Sequence, residues 1–227
     1  MRSSVPNSES PVPTTVARMA PAAATRLLLI RHAEVEVRYQ HVFGGTVDMD
    51  LSPHGHEQAA ALAKFLGTKP FDALYASPMK RVQQTLAPLL KNGTPPPTLR
   101  PGLREVDFGD WTGHGWEAVR EKFGVSAFTW LEQLERGTMP NAENAATFRA
   151  RVAQSLEEIL AAQTGKTSAV FCHGGVIRMA LAILLDLPLA QMSMFEIDYA
   201  SVSALELKPH RVEIQLLNLT PWRDMPS

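Results

Sequence analysis

The stretch "RLLLIRHAE", residues 26–34, decides how the rest of the chain is read. Leu27 to Ile30 form an unbroken aliphatic run, the composition of a strand covered on both faces, and the run ends in the polar pair Arg31-His32. Two further runs of this kind follow, at 72–76 ("DALYA") and 168–172 ("SAVFC"). After each of the three, apolar residues recur at helical spacing. Strands alternating with helices predict an α/β fold: a three-layer α/β/α sandwich around a mostly parallel central sheet. Farther on, "SVSALEL" and "RVEIQLL" flank the turn residues "KPH", and the second run alternates Arg211, Glu213 and Gln215 with Val212, Ile214 and Leu216. That one-sided pattern predicts an antiparallel strand at the edge of the sheet.

The helices announce themselves by their ends. Ser52-Pro53 supplies an N-cap and a first-turn proline, Leu62, Phe65 and Leu66 form an apolar stripe, and Gly67 is a stop signal. Ser77-Pro78 reads as a second start of the same type. Residues 144–163 place Phe148, Val152, Leu156, Ile159 and Leu160 on one face, and residues 175–186 are apolar nearly all round. "NGTPPPTLRPG", 92–102, reads as an extended connection.

Composition narrows the function classes. The 227 residues are 45% hydrophobic, enough for one core, and the sequence divides into a disordered tail at 1–24, a single domain at 25–220 and a short C-terminal tail at 221–227. Lys plus Arg (22) nearly balances Asp plus Glu (23), so no bulk field draws in nucleic acid or an anionic membrane. No apolar run approaches the roughly 20 residues that span a bilayer. The tail lacks the apolar segment of a secretory signal, although Arg2, Arg18 and several serines leave a transit peptide as a minority alternative. Cys172 is the only cysteine, which suits a reducing compartment, and a cytoplasmic location is expected. No oligomeric interface is legible.

In open parallel sheets ligands bind beyond the carboxyl ends of the strands. The first such end carries Arg31-His32, the second leads through Ser77-Pro78 to Arg81, and the third gives His173-Gly174-Gly175 at a helix start. Taken singly, each has a bland reading, a structural histidine or a surface arginine. Together they crowd cationic groups along one edge, where they would repel unless an anion sat between them. Guanidinium forks, imidazoles and a helix N-terminus with close backbone approach at Gly174 most simply hold a phosphoryl group, with carboxylate or sulfate as alternatives. Imidazole is also a competent phosphoryl nucleophile, and a mere binder would not need one.

These segments resemble the histidine phosphatase superfamily, also called phosphoglycerate mutase-like. "LLLIRHAE" is similar to its nucleophile motif, "FGGTVDMDLSPHGHEQA" to the segment that follows, "YASPMKRVQQT" to its Ser-Pro-x-x-Arg segment, "LREVDFGDWTG" to its acid motif and "VFCHGGVIR" to its second-histidine motif. The five occur in family order over about two thirds of the chain. The resemblance implies that His32 is the nucleophile, that Arg31, Arg81 and His173 surround the phosphoryl group, and that Glu105 protonates the leaving oxygen and later activates water. It implies no metal and no other cofactor. From the residues alone, Glu105, Asp107 and Asp110 are all open as loop carboxylates, and only the family position puts Glu105 first. Gly44, Gly45, Gly174 and Arg38 are the expected substrate contacts. Arg38 stands six positions after the nucleophile, where the family's mutases carry Asn, and reads either as a contact to a second anionic group or as a solvated side chain. Near "MPNAEN" the family's glycines are missing, with Glu143 kept.

The main choice is between hydrolysis and mutase-type transfer. The mutases' long insertion after the acid motif is absent, and a more open site favours a phosphatase acting on a small phosphorylated metabolite. Residues 112–140 would then form a small helical cap, with Trp116, Phe123, Phe128, Trp130 and Leu134 near the site, mostly as core. A non-catalytic phosphoester-binding module would have lost the nucleophile or the acid. His54 and His56 hint at a metal hydrolase, but two residues apart in a first helical turn they point to different sides, so no metal site is expected.

Overall fold

The long aliphatic run becomes the central strand of the sheet. In the computed structural model, which describes Met19 and residues 21–225, it is β1, Thr25–Arg31. Five more strands join it: β2 (Ala73–Ala76), β3 (Thr98–Leu99), β4 (Thr167–Cys172), β5 (Val202–Lys208) and β6 (Arg211–Leu219), in the order β3-β2-β4-β1-β5-β6. β1, β2, β3 and β4 are mutually parallel, whereas β5 runs antiparallel to both β1 and β6. The edge is therefore antiparallel, as the alternation in "RVEIQLL" predicts. The one strand that the sequence pattern missed is β3, two residues inside the Pro-rich connection, too short to carry any periodicity.

Among the described residues there are seven helices: α1 (Pro53–Gly67), α2 (Lys80–Lys91), α3 (Trp116–Phe123), α4 (Trp130–Glu135), α5 (Ala145–Ala162), α6 (Gly174–Leu184) and the short α7 (Pro221–Asp224). The period of two along β1 explains why every residue in Leu27–Ile30 is aliphatic. Leu27 and Leu29 pack with Val170, Cys172, Leu156 and Ile177 on the α5–α6 side, while Leu28 and Ile30 pack with Leu62, Leu66, Val82 and Leu86 on the α1–α2 side. Both faces are dry, so truncating either set creates a cavity; Leu29→Ala belongs to the class that costs about 2–5 kcal/mol.

Helix starts follow their caps, with one exception. Ser52 Oγ accepts the Gly55 N–H at 2.9 Å and Asn144 Oδ1 accepts the Ala146 N–H at 2.7 Å, so α1 and α5 begin where expected. Ser77-Pro78 does not start α2, which begins at Lys80 with Met79 as its flanking residue. The Ser77 hydroxyl is engaged elsewhere, 2.9 Å from His173 Nε2. Within residues 112–140 lie α3, a 3-10 turn at Ala127–Thr129 and α4. Much of the expected N-terminal tail, 1–18 with residue 20, lies outside the described residues, as do 226–227. Its described end is packed: Met19 sits in the core and Pro21 is buried. At 221 the chain makes a helical turn rather than a tail, because Trp222 docks beside α1 and donates its indole N–H to the Tyr199 carbonyl at 3.1 Å. Among the described residues no helix is long and apolar enough to cross a membrane.

Parallel pairing aligns the carboxyl ends that matter. Arg31 is in register with Cys172, and Ala76 with Phe171, so the residues next in sequence, His32, Ser77 and His173, emerge side by side.

Candidate active site

His32 leaves β1 under restraint. Its backbone N–H donates to the Cys172 carbonyl at 3.1 Å, and the next N–H, of Ala33, donates to Thr85 Oγ1 at 2.9 Å. Thr85 in turn donates its hydroxyl proton to the Arg81 carbonyl at 2.7 Å, tying the loop to α2. The imidazole is only 5% exposed, and its Nδ1 lies 2.8 Å from the Ala33 carbonyl oxygen. A carbonyl can only accept, so Nδ1 carries the proton and Nε2 keeps its lone pair. Burial, then the charges of Arg81 and Arg31, hold the His32 pKa well below the ordinary histidine value, against a smaller opposing effect of the Ala33 carbonyl. The ring is thus neutral at neutral pH.

Arg81, 2% exposed, is held on three sides. Its Nε donates to His173 Nδ1 at 3.2 Å, Nη1 to the Val47 carbonyl at 2.8 Å and Nη2 to the Gly45 carbonyl at 3.2 Å. Of the five N–H donors a guanidinium owns, the two others remain for a ligand. Burial pushes its pKa down to about 10, with Glu105 opposing, so it stays charged.

His173 takes a part that the sequence did not suggest. Its ring packs edge-on to His32 with centroids 5.2 Å apart, but it is fully buried and does not reach the cavity wall. With Nδ1 accepting from Arg81, Nε2 carries the proton and donates to Ser77 Oγ. His173 is thus tied to Arg81 and Ser77 through its two ring nitrogens. Burial, followed by the charges of Arg81, His32 and Arg31, keeps it neutral with a lowered pKa.

Arg31 spans the other side. Its Nη1 donates to the Ile197 carbonyl at 2.6 Å, its guanidinium lies 4.0 Å over the Tyr199 ring, and its Nε is buried with no acceptor. Glu105 is fixed by two backbone donors, its own neighbour Val106 at 3.1 Å and Gly175, in the first turn of α6, at 3.3 Å. The loop that carries it is braced from behind. Arg151 pairs with Glu143 at 2.6 Å and donates to the carbonyls of Gly102, Arg104 and Glu105.

His32, Arg31, Arg81 and Glu105 all line one cavity of about 650 Å³, together with Gly44, Gly45, Gly174 and Gly175. Gly45 acts through its carbonyl on Arg81 and sits at φ 46°, a left-handed turn that brings it under Phe108. Of the cap aromatics, Trp116, Phe128 and Trp130 line the wall; Phe123 packs instead on Trp111, and Leu134 is core. Arg38 is not brought to the cavity. Its side chain is 68% exposed and folds back onto Glu36 at 2.8 Å. His54 and His56 are exposed, His54 pairing with Glu57 and meeting Trp222 edge-on. Among the described residues no group of three or more His, Cys, Asp or Glu is placed to hold a metal ion.

Three side chains at the site escaped the sequence reading: Tyr199, Ser77 as the partner of His173, and Arg178, which lines the same cavity. Arg178 lies inside the quoted "VFCHGGVIR" and was detectable by its helical offset from Gly174. Tyr199 follows the matched motifs by twenty residues and carries no such signal.

A family model described as histidine phosphatase superfamily (branch 1) matches residues 27–220. Phosphoserine phosphatase 1 of Hydrogenobacter thermophilus is 31% identical over 195 residues, 86% of this chain and 92% of that one. Adenosylcobalamin/alpha-ribazole phosphatase of Salmonella typhimurium is 26% identical over 199 residues, 87% of this chain and 98% of the other. Among solved structures, the alpha-ribazole phosphatase from Shigella flexneri superposes with a TM-score of 0.75 at 26% identity, covering 86% of this chain and 96% of its own.

Proposed function

The chain belongs to the histidine phosphatase superfamily and is a phosphatase, and on that premise we propose that it hydrolyses small phosphomonoesters through a phosphohistidine on His32, without a metal. The observation that carries the reading is the tautomer of His32: Nδ1 is tied to a carbonyl, so the lone pair on Nε2 is the one available for attack.

In the first step the Nε2 lone pair forms a P–N bond as the ester P–O bond breaks. The leaving oxygen takes the electron pair and receives a proton from Glu105. Arg31 and the two uncommitted N–H groups of Arg81 stabilise the charge spread over the equatorial oxygens, the task that Mg²⁺ performs in many phosphoryl-transfer sites. Water then attacks phosphorus, gives a proton to Glu105, and the P–N bond breaks, releasing orthophosphate and neutral His32. Arg31 supports this assignment, since it lines the cavity and commits an N–H of Nη1 to the Ile197 carbonyl, which leaves further guanidinium donors for an anion. Glu105 lines the cavity and is held there by the Gly175 N–H rather than lying on the surface, which supports its assignment as the proton donor.

The cavity is large enough for a whole small metabolite, and the relatives' names give phosphoserine and alpha-ribazole phosphate as examples of the class. The single buried Cys172, whose thiol burial pushes up, is consistent with the cytoplasmic location that forms part of this proposal.

The test is incubation of the protein with a ³²P-labelled phosphomonoester, rapid quenching, and a search for an acid-labile, base-stable phosphoenzyme. The wild type is expected to trap label and to retain activity in EDTA. Turnover persisting in His32→Ala, or abolished by EDTA in the wild type, would sink the mechanism.

A further inference from the structure

Gln58 is out of place by composition. The buried face of α1 is formed by Gly55, Gln58, Ala59, Leu62, Ala63 and Leu66, and Gln58, 1% exposed, is the one polar side chain among them. A buried amide is costly unless its hydrogen bonds are met, so leucine or methionine would serve the core better at that position. What the amide meets is the loop that leaves the nucleophile: its Oε1 accepts the Glu34 N–H at 2.9 Å.

That N–H and the Ala33 carbonyl are the two ends of one peptide unit, and the unit is planar. The Ala33 carbonyl is the acceptor that lies 2.8 Å from His32 Nδ1. Gln58 and His32 thus grip opposite edges of the same plane, the amide oxygen at its N–H and the imidazole at its C=O. A hydrogen bond at the N–H also polarises the unit and strengthens its oxygen as an acceptor.

This plane needs a side chain to hold it because β1 ends at Arg31, and the residues that follow have left the ladder of the sheet. Successive N–H groups find acceptors on different elements: His32 on Cys172 of β4, Ala33 on Thr85 of α2, and Glu34 on Gln58 of α1. The start of α1 holds the rest of Glu34. The Ser52 N–H donates to the Glu34 carbonyl at 3.0 Å, the Ser52 hydroxyl donates to its carboxylate at 2.6 Å, and Gly55 has no side chain to keep the two segments apart. With an apolar side chain at 58 the Glu34 N–H loses its acceptor, and the 33–34 plane is free to turn toward another. Turning it carries the Ala33 carbonyl away from Nδ1. The ring proton is then free to move to Nε2, which removes the lone pair needed for attack.

We infer that Gln58 is a positioning residue for His32: by holding the 33–34 peptide it fixes the tautomer that keeps the lone pair on Nε2. It touches no substrate and acts only through the backbone. The inference rests on the phosphohistidine reading above and adds to it the device that selects the attacking nitrogen.

The test reads the tautomer directly, by long-range ¹H–¹⁵N correlation of the histidine rings at neutral pH, with His32 assigned by difference against His32→Asn. Kinetics on p-nitrophenyl phosphate and a thermal melt accompany it. The wild-type ring is expected to show a protonated Nδ1 and an unprotonated Nε2; protonation on Nε2 overturns the inference before any variant is made. Gln58→Met, close in volume and without an acceptor, should show both tautomers in exchange, and kcat should fall about tenfold or more with KM within about twofold. Gln58→Glu keeps an acceptor in the same place and should restore the Nδ1–H pattern and most of kcat. Leu62→Ala, one turn farther along the same face of α1, should lower the melting temperature and leave the tautomer as in the wild type. An unchanged tautomer in Gln58→Met overturns the inference, as does loss of the Nδ1–H pattern in Gln58→Glu. The same shift in Leu62→Ala overturns it too, by making the effect a general loosening of α1. A shifted tautomer with undiminished kcat in Gln58→Met leaves the positioning role standing and refutes His32 as the nucleophile.

Discussion

Gly175→Ala is the sharpest probe of the acid, because it adds one methyl group and removes no functional atom. Gly175 lies in the first turn of α6 with an ordinary negative-φ backbone, so alanine is tolerated conformationally. Its Cβ, however, would run into Glu105 Oε1, lie 3.2 Å from the carboxyl carbon, and touch Trp130 Cη2 at 3.4 Å. Comfortable carbon contacts begin at about 3.5 Å, so the carboxyl group must retreat by roughly 1 Å. It also loses the Gly175 N–H that now holds it at 3.3 Å. A displacement of that size at a reacting group costs about 10²-fold, while overpacking should cost about 1–3 kcal/mol of stability. The assay is kcat/KM on two substrates, an alkyl phosphomonoester and p-nitrophenyl phosphate, alongside a thermal melt. The alkyl ester needs its leaving oxygen protonated and should lose about 100-fold, whereas the nitrophenolate leaves unaided and should lose less than about tenfold. Equal losses on the two would refute Glu105 as the proton donor, and no loss on either would refute its placement.

Two further outcomes follow from burial and close approach. Because His32 and His173 have pKa values held below the ordinary value, the unfolded chain takes up their protons first as the pH drops. Their contribution is present above about pH 6.5 and is lost below it, at up to about 1.4 kcal/mol per pH unit for each histidine. Denaturant melts at pH 7.5, 6.0 and 5.0 should show a falling midpoint that is shallower in His173→Gln, and a flat midpoint in the wild type would contradict the burial of both rings. Gly55→Ala should destabilise by about 1–3 kcal/mol, since its Cβ would strike the backbone carbonyl of Glu34, which has no flexible side chain to yield. A melting temperature within a degree of the wild type would show that the loop after His32 is looser than it is drawn.

The sheet was legible because its signals are intrinsic to the strands. Leu27–Ile30 had to be apolar throughout to serve two cores, whereas the alternation in β6 marks an edge strand without forming one buried face: Val212 and Leu216 pack on opposite clusters and Ile214 is exposed, where the pairing with β5 shifts register. The misreadings arose where a residue's partner is distant in sequence. Ser77-Pro78 has the composition of a helix start, but the hydroxyl that would cap α2 is drawn to His173, ninety-six residues away. The helical turn at 221 likewise depends on Trp222 finding Tyr199 and the flank of α1. Propensity could not register either contact, since each belongs to the tertiary structure.

The same distinction sorts the site residues. His32, Arg31 and Arg81 follow strand ends directly, so topology alone delivers them to one edge. Arg38 fails because its position is counted along a loop, and a loop residue six positions from the nucleophile can turn either way; here Glu36 is the nearer anion. His173 is the instructive case. Its strand end is in register with that of β1, so proximity to His32 was predictable, but its orientation depends on which nitrogen finds an acceptor or donor first. Arg81 Nε and Ser77 Oγ claim both nitrogens. In the proposed mechanism the anion is held by guanidiniums whose N–H groups are not already spent. By that count Arg31 and Arg81 each have donors left, and Arg178, which no strand end announced, has an unpaired one as well. The two histidines thus divide the work: His32 keeps a free ring nitrogen at the cavity, while His173 spends both of its nitrogens on Arg81 and Ser77.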